Sequence, residues 1–491
     1  MREKLILAAL VLVAFGASVA GSFQFDDAGL LADPAITSPS GWWESWRPEQ
    51  TRPLTWFTFW LNYQIAGERP APWHAVNLLL HMAVVLLLLD VLKGFLPARA
   101  ALLAAAFFAV HPLLAEPVNY IYARGTLLAA LFSLLAVRAW IAERSWQAVA
   151  WFTLAMLAKE ECAALPVVLA LLDRKRPKPL MAMFAVALAA GLRTIWAAAV
   201  VPGSQAGSQA GVSPLDYFAT QGVVIWRYLR MTVLPRGFTV DPAIAKPSWV
   251  KSIVFWVASG ELIAMVATRS RAAALFFGAG MVLLLPSSSV FPAADLAADR
   301  RMYLPMLALC GVAGLAAERI PRAWSCVAIL ALTAISVLQT QVWRTPESLW
   351  SQAHEHAPHK ARPALQLART VEPSRGLRLV TEAALYNPAD AAIFAEQGRL
   401  FLTLGRPQEA LAAFGRALAL EPEDARNLNN RGAALLALGQ GAAARADFER
   451  ALKQDSCLFD ARLNLRRMGV ETPARGCRYT ARQRDALRTG G

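Results

Sequence analysis

The sequence predicts an all-α protein: a polytopic membrane helical bundle of about eleven spans, followed by a short solenoid of helical repeats. The chain is 56% hydrophobic and 17% charged, with a mean hydropathy of +0.38, which is more apolar than soluble domains usually are. Apolar runs broken by short polar loops continue to about residue 343. From about residue 345 no run is long enough to cross a bilayer. We therefore expect lipid around residues 1–343 and water around the rest.

The first apolar run, 5–20, follows Arg2 and Lys4. Small residues at 17–20 also fit a signal-peptide cleavage site, but the many spans that follow favour a retained anchor. Two later runs are short for a hydrocarbon core of about 30 Å, so we expect tilted or broken helices at 146–158 and 161–172. The other candidate spans are 74–92, 100–115, 121–141, 180–200, 249–267, 272–290, 302–317 and 323–341.

Basic loops set the predicted orientation. With a cytoplasmic N-terminus, the loop cations fall inside, as the positive-inside rule requires, provided that 214–235 does not cross. Arg227 and Arg230 fit a helix that lies at the membrane interface there. We therefore predict a multi-pass protein of the inner (cytoplasmic) membrane whose C-terminal part is periplasmic or otherwise extracytoplasmic. The loop cations are Lys93, Arg99, Arg138, Arg144, Arg174, Lys175, Arg176, Lys178, Arg269, Arg271, Arg319 and Arg322.

The net charge of +14 does not indicate nucleic acid, because much of it lies in these loops. A C-terminal arginine cluster has few aromatic residues and no nucleic-acid motif, so the basic tail, 461–491, is expected to face solvent or lipid headgroups. Cys457 and Cys477 could pair in an extracytoplasmic tail, and the sequence leaves this open. The cluster is Arg462, Arg466, Arg467, Arg475, Arg478, Arg482, Arg484 and Arg488.

A period of 34 residues marks the second part of the chain. It is typical of tetratricopeptide (TPR) helix pairs, in which small residues let helices approach and a phenylalanine fills the gap between neighbouring pairs. We predict a TPR domain over 344–460, with full units 391–424 and 425–458 and a shortened unit 361–390. The array is either a packing cap or, as we favour, a concave surface for an extended peptide. Gly398, Gly405, Ala410, Phe414 and Ala417 recur as Gly432, Gly439, Ala444, Phe448 and Ala451.

Ionisable side chains gather on one predicted face of the membrane domain, where they need partners and often mark function. One interpretation is that they form ion pairs and helix caps. Their shared position on the outer face favours a functional site instead. The charged members and the residues beside them are Asp26, Asp27, His111, Glu116, Arg124, Lys159, Glu160, Glu161, Asp299, Arg300, Arg301 and Tyr303.

Paired carboxylates suit a general base, since one can tune the pKa of the other. Nearby cations suit a leaving group that carries phosphate, and a site at the membrane suggests a lipid substrate. Sugar transfer from a polyprenyl phosphate to a hydroxyl satisfies all three. The sequence contains no nucleotide-binding glycine loop, zinc spacing or nucleophile elbow.

Seven motifs in fixed order carry a family resemblance. To about residue 460, the chain resembles the transmembrane-and-TPR (TMTC) proteins and their bacterial relatives, in the GT-C superfamily of glycosyltransferases that use lipid-linked sugars. The resemblance implies a GT-C fold, a polyprenyl-phosphate-linked hexose such as mannose as donor, and O-glycosylation of Ser/Thr on an extracytoplasmic protein. The motifs are FDD at 25–27, RPLTWFTFWLNY at 52–63, HAVNLLLH at 74–81, AVHPLLAEPVNYIYARGTLLA at 109–129, AKE at 158–160, DRRMYLP at 299–305 and VWRTPESLW at 342–350.

The resemblance also implies roles for individual residues. The acidic pair would carry the catalytic base, with Asp27 favoured over Asp26, and Arg300 matches the arginine of the family's Glu-Arg-x-x-Tyr-Leu-Pro stretch, with Asp299 in place of the glutamate. Thr126 stands where the family has an acid, which argues against an acid–base partner there. The donor phosphate is assigned to Arg124, Lys159 and Arg300, and the shape of the site or substrate binding to His111, Glu116, Glu160 and Tyr303.

The implied mechanism is an inverting, in-line displacement that requires no cofactor, although the acidic pair could hold a divalent cation. The expected partners are the lipid-linked sugar, an acceptor protein or peptide bound by the TPR domain, and membrane lipids, with no nucleic acid. Two alternatives remain open. One is a non-catalytic, membrane-anchored TPR scaffold for an envelope complex, and the other is a GT-C enzyme that glycosylates a lipid or polysaccharide.

Overall fold

The computed structural model describes residues 1–201, 206–289, 291–474, 476–477 and 479–489; Arg475 and Arg478 of the basic cluster lie outside these residues. The chain divides into two compact units. The membrane unit comprises Met1–Leu31 and Pro39–Thr345, and the repeat unit comprises Ala32–Ser38 and Pro346–Gly491. Within the described residues, an isolated bridge between Ala206 and Ala293 is the only β-structure. The predicted all-α class is confirmed.

The N-terminal part of the chain, which includes the membrane unit, contains sixteen α-helices in its described residues. They are α1 Arg2–Phe15, α2 Asp27–Ala32, α3 Pro34–Thr37, α4 Pro53–Ala66, α5 Pro70–Leu92, α6 Ala98–Val110, α7 Ala115–Asn119, α8 Arg124–Ile141, α9 Ser145–Ala158, α10 Leu165–Leu172, α11 Pro177–Val200, α12 Pro214–Val233, α13 Trp249–Arg269, α14 Arg271–Leu284, α15 Tyr303–Ala317 and α16 Arg322–Val342. Short 3-10 helices occur at Gly16–Ala20, Gly41–Trp46, Pro112–Leu114, Ile121–Ala123, Glu160–Ala164, Gly207–Gln209 and Asp299–Met302.

The predicted count of eleven spans is not confirmed. Among the described residues, six helices are long and apolar enough to cross a membrane, or seven if the bent pair Ala98–Val110 and Pro112–Asn119 is one span. The difference arises where charged residues interrupt apolar runs. The 3-10 helix Glu160–Ala164 leaves α10 only eight residues long, and Asp299–Met302 leaves α15 with fifteen. Helices of that length do not reach across a core of about 30 Å unaided.

Ion pairs tie together the end of the membrane unit where α1 begins. Lys4 Nζ lies 2.7 Å from Asp90 Oδ2 near the end of α5, and Lys93 pairs with Glu3. Arg99, at the start of α6, donates hydrogen bonds to backbone carbonyls that follow α15. These contacts gather several of the predicted cytoplasmic cations at one end of the bundle.

At the opposite end of the membrane unit, hydrogen bonds connect parts of the chain that are distant in sequence. The Ser22 amide donates to the Arg344 carbonyl at 3.1 Å, and Gln24 Nε2 donates to the Trp343 carbonyl at 3.0 Å. The residues after α1 and the residues after α16 therefore lie at the same end of the membrane unit. The membrane unit finishes at this end.

Helix α12, which the sequence predicted to lie at the membrane interface without crossing, is not among the helices long and apolar enough to span, and it buries one face against its neighbours. Tyr217, Ile225 and Tyr228 are buried along it. Arg227 donates to Asp299 Oδ1 at 2.6 Å. The sequence indicated no partner for Arg227, and the structure pairs it with an acidic residue 72 positions away.

The repeat unit is built from antiparallel helix pairs. Its α-helices are α17 Pro346–His356, α18 Ala361–Ala368, α19 Pro373–Tyr386, α20 Ala391–Thr403, α21 Pro407–Leu420, α22 Ala425–Ala437, α23 Gly441–Gln454, α24 Phe459–Arg467 and α25 Ala481–Thr489. Gly398 of α20 faces the Phe414 ring of α21, and a Cβ at Gly398 would lie 2.7 Å from that ring. Phe414 also packs with Ala434 of the next pair. The glycine thus makes room for a ring that joins two pairs.

The C-terminal segment folds back onto the last repeat helix. Cys457 and Cys477 form a disulfide. Arg462 is 4% exposed and donates to the Tyr479 hydroxyl and to the carbonyl of Thr472. The expectation of a solvent- or headgroup-facing cluster is therefore wrong for Arg462, because these local partners satisfy its guanidinium inside the fold.

Replacing Gly398 with alanine should destabilise the repeat unit by about 1–3 kcal/mol, because the new methyl group would overlap a fully buried ring. The measurement is hydrogen–deuterium exchange of α20–α23 in the full-length protein, where Gly398→Ala should exchange faster than wild type.

Gly415 provides the matched control, since a Cβ there has nothing within 4 Å. Gly415→Ala should slow exchange, because alanine stabilises a helix interior by about 0.5–1 kcal/mol over glycine. Equal effects of the two substitutions would contradict this packing.

Candidate functional site

A polar cavity of about 520 Å³ opens at the end of the membrane unit where α1 and α16 finish. All the charged side chains that line this cavity come from loops or from the ends of helices. It contains five acidic and four basic side chains beside tyrosines, hydroxyls and a phenylalanine. The charged residues are Asp26, Glu49, Arg52, Lys159, Glu160, Glu161, Asp295, Arg300 and Arg301.

Asp26 presents an exposed carboxylate to this cavity. Tyr120 donates its hydroxyl proton to Asp26 Oδ2 at 2.6 Å. Phe25, the preceding residue, has a φ of +43°, a left-handed conformation that non-glycine residues adopt at a cost. The backbone is therefore held in a strained turn just before the carboxylate.

Asp27, the residue that the sequence favoured as base, is fully buried and does not line the cavity. Its carboxylate accepts hydrogen bonds from the amides of Gln24 at 2.9 Å and Tyr122 at 2.8 Å. Burial raises the pKa of Asp27 from 3.8 to about 7, and the two amide donors only partly oppose that rise. Asp27 thus joins the loop after α1 to the loop before α8, while its neighbour faces the cavity.

Two cations of the cavity are paired with the carboxylates of one short turn. Arg52 Nε donates to Glu160 Oε2 at 3.0 Å, and a second guanidinium nitrogen donates to Oε1. Lys159 Nζ lies 2.5 Å from Glu161 Oε1 and donates to the Thr126 hydroxyl at 2.7 Å. The residue that stands in place of the family's acid therefore holds this lysine.

Arg300 forms the third cationic group. Its backbone amide and its Nη1 donate to the two oxygens of Glu116, at 2.9 and 2.7 Å, and its Nη2 lies 3.3 Å from Asp295 Oδ2. Glu116 is only 4% exposed and lies behind the arginine. The prediction that Glu116 shapes the site thus has a physical basis, because it fixes a cation that lines the cavity.

The ion pairs shift the proton affinities of the loop residues. Burial raises the pKa of the Glu160 carboxyl, but the charge and hydrogen bonds of Arg52 outweigh burial and bring it to about 2. Burial lowers the pKa of the Lys159 ammonium, and Glu161 opposes this. Burial also disfavours the charged form of Arg300, yet Glu116 and Asp295 raise its pKa overall. Glu160 therefore stays ionised and holds Arg52 in place.

Arg124, which was assigned to the donor phosphate, lies away from the cavity and is fully buried. Its guanidinium donates to the side-chain oxygens of Asn77 and Asn62 and to the Trp73 carbonyl, and it packs over the Phe59 ring. Together with the Thr58 carbonyl, these partners on α4 and α5 take four of its five N–H donors. The geometry gives Arg124 a structural role, and we withdraw it from the phosphate site.

His111 and Tyr303 do not line the cavity either. His111 is buried, makes a hydrogen bond with the Thr232 carbonyl at 3.1 Å, and accepts one from the Leu113 amide. The buried Tyr303 hydroxyl lies 2.7 Å from His81 Nδ1. Both side chains hold helices together and neither lines the cavity; of the two roles predicted for them, shaping the site or binding substrate, this geometry favours the first.

Sequence reasoning missed several cavity residues. Arg52 opens the motif at 52–63, and Tyr120 lies within the motif at 109–129, so a search of the motifs for unassigned polar groups could have found both. Asp295 lies five residues before Arg300, and Arg301, which the sequence already places on the predicted outer face, has no role assigned there. Glu49 precedes Arg52 in a polar loop and has no distinguishing signal in one sequence.

The arrangement suits a polar substrate that carries both hydroxyls and phosphate. Carboxylates accept hydrogen bonds from hydroxyl groups, and guanidinium and ammonium groups bind phosphate oxygens. Within the described ranges, no cluster of three or more His, Cys, Asp or Glu side chains is placed to hold a metal ion. An exposed carboxylate that lines the same cavity as three anchored cations is suited to accept a proton while a phosphate departs.

Comparison with known proteins supports the family resemblance. The chain is similar to the protein O-mannosyl-transferase TMTC4 of Homo sapiens, with 36% identity over 162 residues, which covers 27% of this chain and 22% of that protein. It is also similar to the protein O-mannosyl-transferase F38B6.6 of Caenorhabditis elegans, with 25% identity over 411 residues, covering 74% of this chain and 59% of that protein. The predicted resemblance to TMTC proteins is confirmed.

The matches span about a fifth of the human relative and somewhat over half of the nematode one. No family model matches the chain. Among solved structures, a TPR protein of Thermus thermophilus matches with 19% identity and a TM-score of 0.22, covering 32% of this chain and 87% of that chain.

The shifted pKa of Asp27 predicts a pH-dependent stability. Because folding raises this pKa from 3.8 to about 7, the stabilising contribution is fully present below about pH 4 and is lost as pH rises to about 7. Asp27→Asn should remove that fall in stability between pH 4 and 7. Thermal unfolding of the full-length protein in detergent at a series of pH values measures it.

Asp90→Asn is the control, since Asp90 lies in the Lys4 ion pair at the other end of the bundle. It should keep the wild-type decline of stability over this pH range. An Asp27→Asn protein with the same decline as wild type would contradict the buried, proton-binding carboxyl.

Proposed function

We propose that this chain is an integral-membrane glycosyltransferase of GT-C type. It moves a sugar, a hexose such as mannose, from a polyprenyl-phosphate donor to Ser/Thr hydroxyls of an extracytoplasmic protein. The observation that carries the proposal is the cavity in which an exposed aspartate lies among anchored arginines and lysine. The names of the similar proteins, protein O-mannosyl-transferases, support the reaction class and the protein acceptor.

Asp26 is the proposed general base. Its carboxylate lines the cavity, whereas Asp27 is enclosed and engaged by two backbone amides. Asp26 takes the proton of the acceptor hydroxyl as that oxygen attacks the anomeric carbon from the face opposite the phosphate. The bond between the anomeric carbon and the phosphate oxygen breaks in the same step, which inverts the configuration of the sugar.

Arg52, Lys159 and Arg300 are the proposed phosphate ligands. Each lines the cavity and each is held by a carboxylate of the protein. Such anchoring fixes cations before the substrate arrives, so that little reorganisation is needed when negative charge develops on the leaving phosphate. Arg52 thus takes the place that the sequence assigned to Arg124.

An apolar cleft supports a lipid-linked donor. It holds about 90 Å³ and is lined almost entirely by apolar side chains of α5, α8, α10, α14 and α15. The polar cavity is lined by residues that adjoin three of these helices: Glu161 before α10, Pro286 after α14 and Arg300 before α15. A polyprenyl chain in the cleft would place its phosphate end toward the cations.

The repeat unit is proposed to bind the acceptor protein. A groove of about 540 Å³ lies within it, lined by polar side chains of α20 and α22 and their neighbours. These include Arg399, Arg426, Asn427 and Asn430. Amide and guanidinium groups can pair with the backbone and side chains of an extended segment, which fits a concave TPR surface.

Two observations support the proposed orientation of the protein in the membrane. The disulfide between Cys457 and Cys477 is typical of an oxidising compartment, which favours an extracytoplasmic repeat unit. One end of the membrane unit contains Lys4, Lys93 and Arg99, and the positive-inside rule places such loop and terminal cations on the cytoplasmic side. The cavity lies at the opposite end, which we place on the periplasmic side of the inner membrane.

Asp26→Asn should lower sugar transfer by about 100-fold or more at matched expression, because general-base catalysis contributes on that order. The assay uses purified full-length protein, a polyprenyl-phosphate sugar and envelope proteins as acceptors, and follows labelled sugar into protein.

Asp27→Asn is the isosteric control, one residue away. It should reduce transfer less than Asp26→Asn, since its carboxylate holds the loop and does not face the cavity. Full activity of Asp26→Asn would contradict the mechanism. Label recovered only in lipid or polysaccharide would contradict the protein acceptor, and a deletion strain with unchanged glycosylation would favour the scaffold alternative.

Filling the apolar cleft should weaken long-chain donors selectively. Ala279 is 5% exposed and lines the cleft, so Ala279→Phe should raise KM for a long polyprenyl donor by about tenfold through lost apolar contact. KM for a short, two-isoprene donor should change little. Steady-state kinetics with the two donors measure this.

Leu330→Phe serves as control, because Leu330 is an exposed residue of α16. It should leave both KM values unchanged. If Ala279→Phe raised both KM values equally, the cleft would not be the site of the lipid chain.

A further inference from the structure

Tyr120 is among the most firmly held residues around the cavity. Its side chain is 2% exposed, and its ring packs against Trp343 and Tyr122 at centroid distances of 5.6 and 6.1 Å. Its amide donates to the Glu116 carbonyl at 2.9 Å, and its carbonyl accepts from Asn77 Nδ2 at 3.0 Å. The phenol therefore has little freedom to turn.

Asp26 is placed quite differently. It is exposed, and it precedes the short helix α2 in a turn whose preceding residue, Phe25, has a positive φ. Two hydrogen bonds connect it with Tyr120: the phenol donates to Oδ2 at 2.6 Å, and the Asp26 amide donates to the phenol oxygen at 3.3 Å. A rigid phenol thus holds both the backbone and the side chain of an exposed residue.

We propose that Tyr120 is the positioning residue of the base, holding the Asp26 carboxylate in place at the cavity. The inference rests on the proposed function. A phenol that donates to a carboxylate stabilises the charged form, and the fixed ring limits the rotamers of the aspartate. In the reaction Tyr120 keeps its proton. The proton of the acceptor hydroxyl goes to Asp26, and the electron pair of the broken bond goes to the phosphate.

Tyr120→Phe tests this role, because it removes one hydroxyl and retains the ring between Trp343 and Tyr122. In full-length protein, kcat should fall about tenfold, because a carboxylate that the phenol no longer holds leaves the geometry in which it takes the acceptor's proton, while KM for the donor stays near wild type. The acidic limb of the pH–rate profile should move up by about one pH unit, because a carboxylate without that donor is protonated more easily.

The control is Tyr63→Phe, since Tyr63 lies on α4 and does not line the cavity, and its hydrogen bond with the Gly67 amide uses the backbone carbonyl, which the substitution keeps. It should keep the wild-type kcat and pH profile. In an Asp26→Asn background, Tyr120→Phe should cause no further loss, because the hydroxyl acts only through Asp26.

The outcomes separate this inference from the proposed function. If Asp26→Asn is inactive but Tyr120→Phe keeps the wild-type kcat and pH profile, Tyr120 does not position the base and the proposed function stands. A further loss in the double variant likewise overturns the positioning role. If Asp26→Asn is fully active, the base itself is wrong.

Discussion

The buried carboxylate of Asp27 holds the functional end of the membrane unit together. It accepts the amides of Gln24 and Tyr122, and so connects the loop after α1 with the loop that begins α8. This connection turns Asp26 toward the cavity and brings it within reach of Tyr120. A buried acid with two backbone donors is hard to replace, because any neutral side chain of the same size leaves an amide without its acceptor.

The cations around the cavity are likewise held by polar partners within the protein. In a bilayer-embedded body an unpaired charge is expensive, and Arg52, Lys159 and Arg300 each contact a carboxylate of the protein. Pairing makes the cations fixed features of the site before any substrate arrives. The phosphate of a lipid-linked sugar would meet a prepared surface, with the proposed base nearby and an apolar cleft beside it.

Much of the fold could be predicted because its signals are local. The 34-residue period and the pairing of Gly398 with Phe414 can be found in the sequence, as can the one-sided distribution of polar residues. The residue that pairs with each charged side chain could not be predicted, because the two are distant in the chain. Arg124 and Arg300 look alike in sequence. In the structure Arg124 donates hydrogen bonds to Asn62 and Asn77, whereas Arg300 lines the cavity. Asp26 and Asp27 are adjacent in the chain, yet after the turn at Phe25 the first faces the cavity and the second is buried.

The most direct measurement of the central claim is a structure of the full-length protein in a lipid nanodisc with a non-transferable polyprenyl-phosphonate sugar. We expect the phosphonate among Arg52, Lys159 and Arg300, the sugar's anomeric carbon facing Asp26, and the lipid chain along α10, α14 and α15. A phosphonate bound elsewhere, or a sugar directed away from Asp26, would contradict the central claim.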